Sequence, residues 1–253
     1  MLEAALRVRL KERELLLMTH IVIGYPTLED SLRLVETMVE AGVDLMELQI
    51  PFSEPIADGP VILSANQRAL ARGTTVEHCL DFAEQVTRRF DIPVLFMSYY
   101  NILFKFGVAR FVDAMAARRL CGAIVPDLPP EEASEYLSAM NGRDLAPVFI
   151  YSPSSSAERM RKIADVGRGF VYCVARKGVT GAETRFSDEL SDYLRRCRHA
   201  TSLPLAVGFG VKSKLDLDFL RGRAEIAVIG SQTLRVVVDS GVGAVGEFLR
   251  GLR

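Results

Sequence analysis

Strand-like and helix-like patterns alternate along this chain about eight times, and this alternation restricts the possible folds more than any other feature. The strand-like runs, such as THIVIGY near residue 19 and LPLAVGFG near residue 203, are short and apolar at both odd and even positions. Parallel strands that are covered on both faces have this composition. The segments between them have helical spacing. One such segment begins with Thr27 and Asp30 at the spacing of a capping box and stops at Gly42.

About eight strand–helix units in 253 residues predict a single domain, residues 1–253, folded as a closed (β/α)₈ barrel of the TIM-barrel class. A doubly wound open sheet is the alternative that the same alternation allows. We also predict an extra N-terminal helix and extra helices between residues 51 and 91, where the predicted strands are furthest apart. The polar segment 176–186 contains glycine and is a candidate mobile lid.

Composition argues against several classes of function. The net charge is −1, which favours neither nucleic acid nor an anionic membrane as a partner, and no apolar run is long enough to span a bilayer. The four cysteines are scattered without metal-ligand spacing, so we predict reduced thiols in a cytoplasmic protein that has no metal site. The sequence also lacks the glycine motifs of dinucleotide and P-loop sites, so it predicts no cofactor.

The apolar run VDLMELQI, residues 43–50, contains a carboxylate near its end. Side chains alternate along a strand, which puts Leu45, Glu47 and Gln49 on one face and the intervening apolar residues on the other. Active sites of (β/α)₈ barrels lie at the carboxyl ends of the strands. We therefore predict that Glu47 and Gln49 point into the barrel mouth, where a carboxylate is suited to proton transfer.

A buried salt bridge with a barrel lysine or arginine is the structural alternative for Glu47. No inward position of the predicted strands carries either residue, which favours a functional role. Asp58 follows in an Ala-Asp-Gly-Pro turn, where an aspartate often only caps the turn. Together, Glu47 and Asp58 resemble two carboxylates placed on either side of a small substrate.

Glycines follow the last two predicted strands, as Gly-Phe-Gly at residues 208–210 and as Gly230-Ser231 before a short predicted helix. Barrels often bind phosphate with these two loops and a helix N-terminus, and glycine lets the backbone approach the anion closely. Gly181 in the long polar segment is a candidate third contact. The sequence thus predicts an acid/base enzyme that acts on a small phosphorylated substrate.

Several motifs in order along the chain resemble the tryptophan synthase alpha chain family. They are ELQIPFSEPIADGPVI followed by A-N-x-R-A-L-x-x-G, YYN at 99–101, PDLPPEE at 126–132, RKGVTGAE at 176–183, and the GFG and GS pairs. The resemblance covers essentially the whole chain and favours the barrel over the open sheet. It implies retro-aldol cleavage of indole-3-glycerol phosphate to indole and glyceraldehyde 3-phosphate, in tryptophan biosynthesis.

The resemblance also implies roles for individual residues. Glu47 matches the general acid/base, and Asp58 matches the acid that binds the indole N–H. Positions that line the pocket, close the lid or bind phosphate are matched by Tyr99, Tyr172, Thr180, Gly181, Phe209, Gly210, Gly230 and Ser231. The implied partner is a beta chain in an α₂β₂ complex, and that beta chain, not this one, is expected to carry pyridoxal phosphate.

Three residues depart from the family pattern. Gln49 replaces a usual glycine, and we expect its long amide to crowd the pocket or to hydrogen-bond Glu47. Glu54 replaces an aspartate of the contact with the beta chain, and His20 stands where a pocket aromatic is usual. Two alternatives to an active subunit of the complex therefore stay open: a stand-alone lyase that releases free indole, and a catalytically weak subunit that mainly activates the beta chain.

Overall fold

The computed structural model of the protein describes residues 2–174, 188–208 and 210–253. Within these ranges it contains nine strands, twelve α-helices and one short 3₁₀-helix, Pro130–Glu132. The strands are β1 Leu16–Val22, β2 Leu45–Gln49, β3 Val94–Met97, β4 Gly122–Ile124, β5 Ala146–Val148, β6 Ile150–Tyr151, β7 Val171–Val174, β8 Leu205–Gly208 and β9 Ile226–Ile229. The helices are α1 Leu2–Arg9, α2 Leu28–Glu40, α3 Pro60–Ala71, α4 Val76–Arg89, α5 Tyr100–Phe106, α6 Val108–Ala117, α7 Ser134–Gly142, α8 Ala157–Val166, α9 Asp188–Ala200, α10 Lys214–Leu220, α11 Ser231–Ser240 and α12 Ala244–Gly251.

The strands form one parallel sheet in the order β5-β4-β3-β2-β1-β9-β8-β7-β6. Its two end strands, β5 and β6, follow each other in the chain and are separated only by Phe149. They are two halves of one interrupted strand, with β5 paired to β4 and β6 paired to β7. The sheet therefore closes on itself around eight strand positions, which confirms the predicted barrel and excludes the open sheet.

Side chains from alternate strand positions separate into two apolar clusters. The inner cluster includes Met18 of β1, Leu45 of β2 and Leu95 of β3, whereas Met46 and Leu48 belong to the cluster between the sheet and the helices. This confirms the predicted parity of β2. Because Glu47 and Gln49 follow Leu45 on the same face, both point into the barrel near the carboxyl end of the strand.

The predicted extra helices are present. Helix α1 places Leu2 and Leu6 in the inner cluster beside Leu16, which lies at the amino end of β1. It therefore covers the end of the barrel opposite to the mouth. Helices α3 and α4 fill the long interval after β2. Among the described residues, no helix combines the length and the apolar character needed to cross a membrane.

The start of α3 fixes the loop that carries Asp58. Gly59 is the N-cap residue in an extended conformation and Pro60 is the first helical residue, a position where proline costs no hydrogen bond. Nearly two turns into the helix, the buried Asn66 amide donates to Ile62 O at 2.9 Å, and its carbonyl accepts from Phe52 N at 2.9 Å. These contacts hold the loop between β2 and α3 against the helix, so Asp58 is held beside the mouth.

Candidate active site

Glu47 lies in a buried position at the mouth of the barrel and contacts a histidine on the neighbouring strand. The parallel pairing of β1 with β2 places His20 beside Glu47, and His20 Nδ1 lies 3.2 Å from Glu47 Oε1. Both residues are only 4% exposed. The partner of Glu47 is thus an imidazole and not the lysine or arginine of a structural salt bridge.

Each of these two side chains also has a buried polar atom that no described residue satisfies, Nε2 of His20 and Oε2 of Glu47. A buried polar atom without a partner costs stability, so such atoms in a protein point to a missing ligand or to strain. Glu47 therefore has one oxygen bound to the protein and one oxygen available to a substrate.

Asp58 is held by two side-chain amides. Gln49 Nε2 donates to Asp58 Oδ2 at 2.6 Å, and Asn66 Nδ2 donates to the same oxygen at 3.4 Å. Gln49 Nε2 also lies 3.4 Å from Asn66 Oδ1. The expected bond from Gln49 to Glu47 is wrong, because this amide donates to Asp58. The crowding of the pocket by Gln49 stays a prediction. Glu47 is thus held by His20, whereas Asp58 is held by the side-chain amides of Gln49 and Asn66.

Burial raises the pKa of Asp58 above its ordinary value, although the Gln49 hydrogen bond and the charge of His20 act in the opposite direction. The charge of Glu47 adds to the rise. Burial would lower the pKa of His20, but the charge and hydrogen bond of Glu47 and the charge of Asp58 raise it above its ordinary value. The three groups therefore form one electrostatic cluster.

Tyr99 stands beside Asp58 and is fixed on both sides. Its hydroxyl accepts a hydrogen bond from Ala57 N at 3.0 Å, and its ring stacks on Phe52 with 5.1 Å between ring centroids. Asp127 accepts hydrogen bonds from Tyr100 N and so anchors the start of α5, directly after Tyr99. Burial and the charge of Asp58 raise the pKa of Tyr99, which keeps it a neutral phenol.

Tyr172 on β7 reaches the same cluster from the far side of the barrel. Burial raises its pKa well above the ordinary value, and the charges of Glu47 and Asp58 add to this rise. A side chain at Gly208 would place its Cβ only 2.3 Å from the Tyr172 hydroxyl. Glycine at the end of β8 therefore makes room for this tyrosine.

The structure describes only part of the predicted phosphate-binding positions. Gly210 has a φ of +103°, a conformation that favours glycine. Gly230 is the N-cap of the ten-residue helix α11, which Ser231 begins, and no side chain caps that helix. Such a helix start presents free backbone N–H groups to an anion. The segments 175–187 and 209 lie outside the described residues, and they contain Thr180, Gly181, Phe209 and the whole candidate lid 176–186.

The contacts that His20, Gln49 and Asn66 make with the two carboxylates were not predicted from the sequence. His20 shares the inward parity of β1, and Asn66 stands in the A-N-x-R-A-L motif, so both signals were present in the sequence. Their partners depend on strand register and on the path of the β2–α3 loop, which a single sequence does not specify. Within the described ranges, no group of three or more His, Cys, Asp or Glu side chains could hold a metal ion.

The geometry defines a (β/α)₈ barrel with two carboxylates held at its mouth and, after the last strand, a helix start that no side chain caps. The sequence profile described as "Tryptophan synthase alpha chain" matches residues 6–244. The chain therefore belongs to the tryptophan synthase alpha chain family. Members of this family are lyases of tryptophan biosynthesis that cleave indole-3-glycerol phosphate, and the protein is a lyase of this kind.

Individual relatives agree with this assignment. The chain is 62% identical over 253 residues to the tryptophan synthase alpha chain of Syntrophotalea carbinolica, with all of both chains covered. It is 63% identical over 252 residues to that of Desulforapulum autotrophicum, again with both chains fully covered. Among solved structures, tryptophan synthase of Mycobacterium tuberculosis matches with a TM-score of 0.92 at 29% identity, covering 99% of this chain and 96% of that one. The alpha subunit of Legionella pneumophila matches with a TM-score of 0.90 at 28% identity, covering 99% and 96%.

Proposed function

We propose that this chain cleaves indole-3-glycerol phosphate by a retro-aldol reaction in which Glu47 is the general acid/base and Asp58 binds the indole N–H. The observation that carries the proposal is the pairing of a buried carboxylate, Glu47, with a half-buried one, Asp58, each of which is held on one side. Oε1 of Glu47 contacts His20, and Oδ2 of Asp58 accepts hydrogen bonds from Gln49 and Asn66. Oε2 of Glu47 has no partner among the described residues, and in this proposal it meets the substrate together with Oδ1 of Asp58.

The reaction requires two proton transfers and one stabilised cation. Glu47 protonates the indole ring carbon that carries the glycerol chain, which leaves an indolenine-like cation. Asp58 stabilises that cation by accepting the hydrogen bond of the ring N–H. Glu47, now a carboxylate, takes the proton of the glycerol hydroxyl, the carbon–carbon bond breaks, and indole leaves with glyceraldehyde 3-phosphate.

The remaining site residues bind the substrate in this proposal. Tyr99 and Tyr172 line the indole pocket, and Thr180 meets the second carboxylate when the lid closes. Backbone groups of Gly181, Phe209, Gly210, Gly230 and Ser231 bind the phosphate. The uncapped start of α11 and the positive φ of Gly210 support the last part, since both suit a backbone that approaches an anion.

The proposal includes a beta chain as partner, in an α₂β₂ complex whose pyridoxal phosphate is held by the beta chain alone. Exposed residues beside the mouth support a docking surface there. Glu54 and Ile56 are exposed in the loop that carries Asp58, and Phe104 is 64% exposed on α5, the helix that follows Tyr99. We propose that the chain itself uses no cofactor, and that it works in the cytoplasm with its four cysteines as free thiols.

An indole-release assay with the purified chain, alone and with its beta chain, tests the function and separates it from the two alternatives. We expect slow cleavage by the chain alone and a strong increase when the beta chain is added. Full activity without the beta chain would identify a stand-alone lyase. Absence of cleavage in both conditions, with activation of the beta chain intact, would identify a non-catalytic subunit and would overturn the proposal.

Gln49→Met is expected to shift the pH dependence of the reaction. Methionine keeps the length of the side chain but removes the amide that lowers the pKa of Asp58, so this pKa should rise further. If the reaction needs Asp58 as a carboxylate, activity is lost as the pH falls through this pKa, and the loss should occur at higher pH in the variant. We expect kcat to fall about tenfold at neutral pH. The pH profile of kcat/KM checks the shift.

Gln67→Met on α3 is the matched control, because Gln67 is exposed and stands next to Asn66 in the sequence. Its pH profile should overlay that of the wild type. Gln49→Gly removes both the amide and the volume of the side chain, whereas Gln49→Met removes only the amide. Comparison of the two variants therefore separates the effect of the hydrogen bond from the effect of side-chain volume. An increase in turnover for Gln49→Gly together with an unshifted profile for Gln49→Met would show that Gln49 only obstructs the site.

A further inference from the structure

His20 is the member of the cluster that neither the family resemblance nor the reaction explains. It lies on β1, with Glu47 on one neighbouring strand and Gly230, directly after β9, on the other side. A Cβ at Gly230 would stand 3.6 Å from His20 Cβ. The residue is therefore buried between the acid/base candidate and the start of the helix that is proposed to bind phosphate.

The groups that face His20 come from every element packed against it. Glu47 and Gln49 face it from β2, and Asp58 acts on it from the β2–α3 loop. From the side of β9 and α11 the groups are neutral: Gly230 presents backbone, and the Thr233 hydroxyl lies 3.4 Å from His20 O. Among the described residues, the charges that act on this imidazole are thus two carboxylates.

We propose that His20 is a positioning residue that, as an imidazolium, holds Glu47 by Oε1 so that Oε2 makes both proton transfers to and from the substrate. The proposal rests on the function proposed above. Three observations support the positioning role: the 3.2 Å contact between Nδ1 and Oε1, the burial of both side chains, and the unsatisfied Oε2. A charge-assisted hydrogen bond of this kind is strong and directional, which is what fixing one carboxylate oxygen requires.

The proton balance is simple. One proton leaves Glu47 Oε2 for the ring carbon, and one proton returns to Oε2 from the glycerol hydroxyl. His20 keeps its own proton throughout. Between the two transfers, Glu47 is a carboxylate in a buried site, and the adjacent imidazolium stabilises that charge. The raised pKa of His20 agrees with this charge state, since burial alone would lower it.

The chain has only three histidines, so the imidazole titrations can be followed by nuclear magnetic resonance with ¹⁵N-labelled histidine. His78 and His199 are exposed and serve as internal references. In the wild type, we expect His20 to titrate above the ordinary value of 6.5. In Glu47→Gln, burial remains and the main negative charge is gone, so His20 should titrate below that value while both references stay unchanged. A wild-type His20 that is neutral below pH 6.5, or one that does not respond to Glu47→Gln, would overturn the proposal.

Two substitutions at position 20 add a kinetic readout. His20→Phe keeps a flat ring without a donor, and we expect kcat to fall about 10- to 100-fold with little change in KM. His20→Asn places an amide nitrogen near the position of Nδ1 and should recover part of this loss, whereas His199→Gln should match the wild type. Equal kcat values for the wild type and His20→Phe would contradict the positioning role. An equal loss of kcat in His20→Phe and His20→Asn would show that the loss comes from altered packing, which would also contradict it.

These measurements separate failure of this inference from failure of the proposed function. If Glu47→Gln lowers the pKa of His20 but leaves cleavage intact, the ion pair is real and Glu47 is not the acid/base. If Glu47→Gln abolishes cleavage while the His20 titration stays unchanged, Glu47 is catalytic and His20 does not position it.

Discussion

Glu47→Gln is expected to lower kcat for indole release by roughly 10²–10⁴-fold, the usual contribution of a general acid–base group. Glutamine has nearly the same shape as glutamate but neither donates nor accepts the proton that the two transfers require. Its carbonyl can still face His20 Nδ1, so the packing of the mouth should persist. The measurement is steady-state cleavage of indole-3-glycerol phosphate at a saturating concentration of the beta chain.

Glu40→Gln is the matched control, because Glu40 is exposed at the end of α2, far from the barrel mouth. It should leave kcat and KM unchanged. In Glu47→Gln we expect KM to change far less than kcat, since the lost group acts on protons and not on binding. A loss below tenfold in a variant with normal thermal stability would remove Glu47 from the acid/base role.

The inward orientation of Glu47 could be predicted from sequence because it depends only on local rules. Strand alternation fixes which side chains share a face, and the barrel rule places function at the carboxyl ends. Strand alternation is confirmed on β2, where Leu45 packs inside the barrel and Met46 outside it. The helix caps are local in the same sense, and Thr27 caps α2 by accepting a hydrogen bond from Asp30 N, as its spacing predicts.

The partners of the two carboxylates could not be predicted in this way. His20 meets Glu47 only because the β1–β2 register places them side by side, and a shift of one residue would turn one of them outward. Gln49 meets Asp58 because the start of α3 returns the loop towards the strand. Local patterns set the direction of each side chain, whereas register and loop path decide what it touches.

The two glycines of the motif at residues 208–210 differ in their structural setting. The motif at residues 208–210 was assigned to phosphate binding, and Gly210 has the positive φ that suits a special backbone position. Gly208 has a different cause, because any side chain there would collide with Tyr172. A glycine records a steric requirement, and the sequence does not say whether a ligand or a neighbouring side chain imposes it. The roles of all the predicted phosphate-binding residues, and of Thr180, stay predictions.

Asp58→Asn is expected to lower kcat by roughly 10²–10³-fold, comparable to the loss of one preorganised group that stabilises transition-state charge. The structure gives a reason beyond the lost charge. Gln49 and Asn66 both donate to Oδ2, so an introduced amide must place its carbonyl oxygen there. Its NH₂ group then faces the indole N–H, donor against donor, and the indolenine-like cation loses both its acceptor and its counter-charge. Steady-state cleavage with the beta chain measures the effect.

An N-methylated substrate tests this reason directly, because it has no N–H for Asp58 to accept. The wild type should lose much of its kcat with the methylated compound, while Asp58→Asn should lose little more, since the interaction is already absent. Full additivity of the two losses would mean that Asp58 acts elsewhere than on the ring nitrogen. Asp188→Asn, in the first turn of α9 and outside the cluster, is the matched control and should behave as the wild type with both substrates. A non-additive result would place the unshared oxygen of Asp58 against the indole nitrogen, and with it the substrate ring between the two carboxylates.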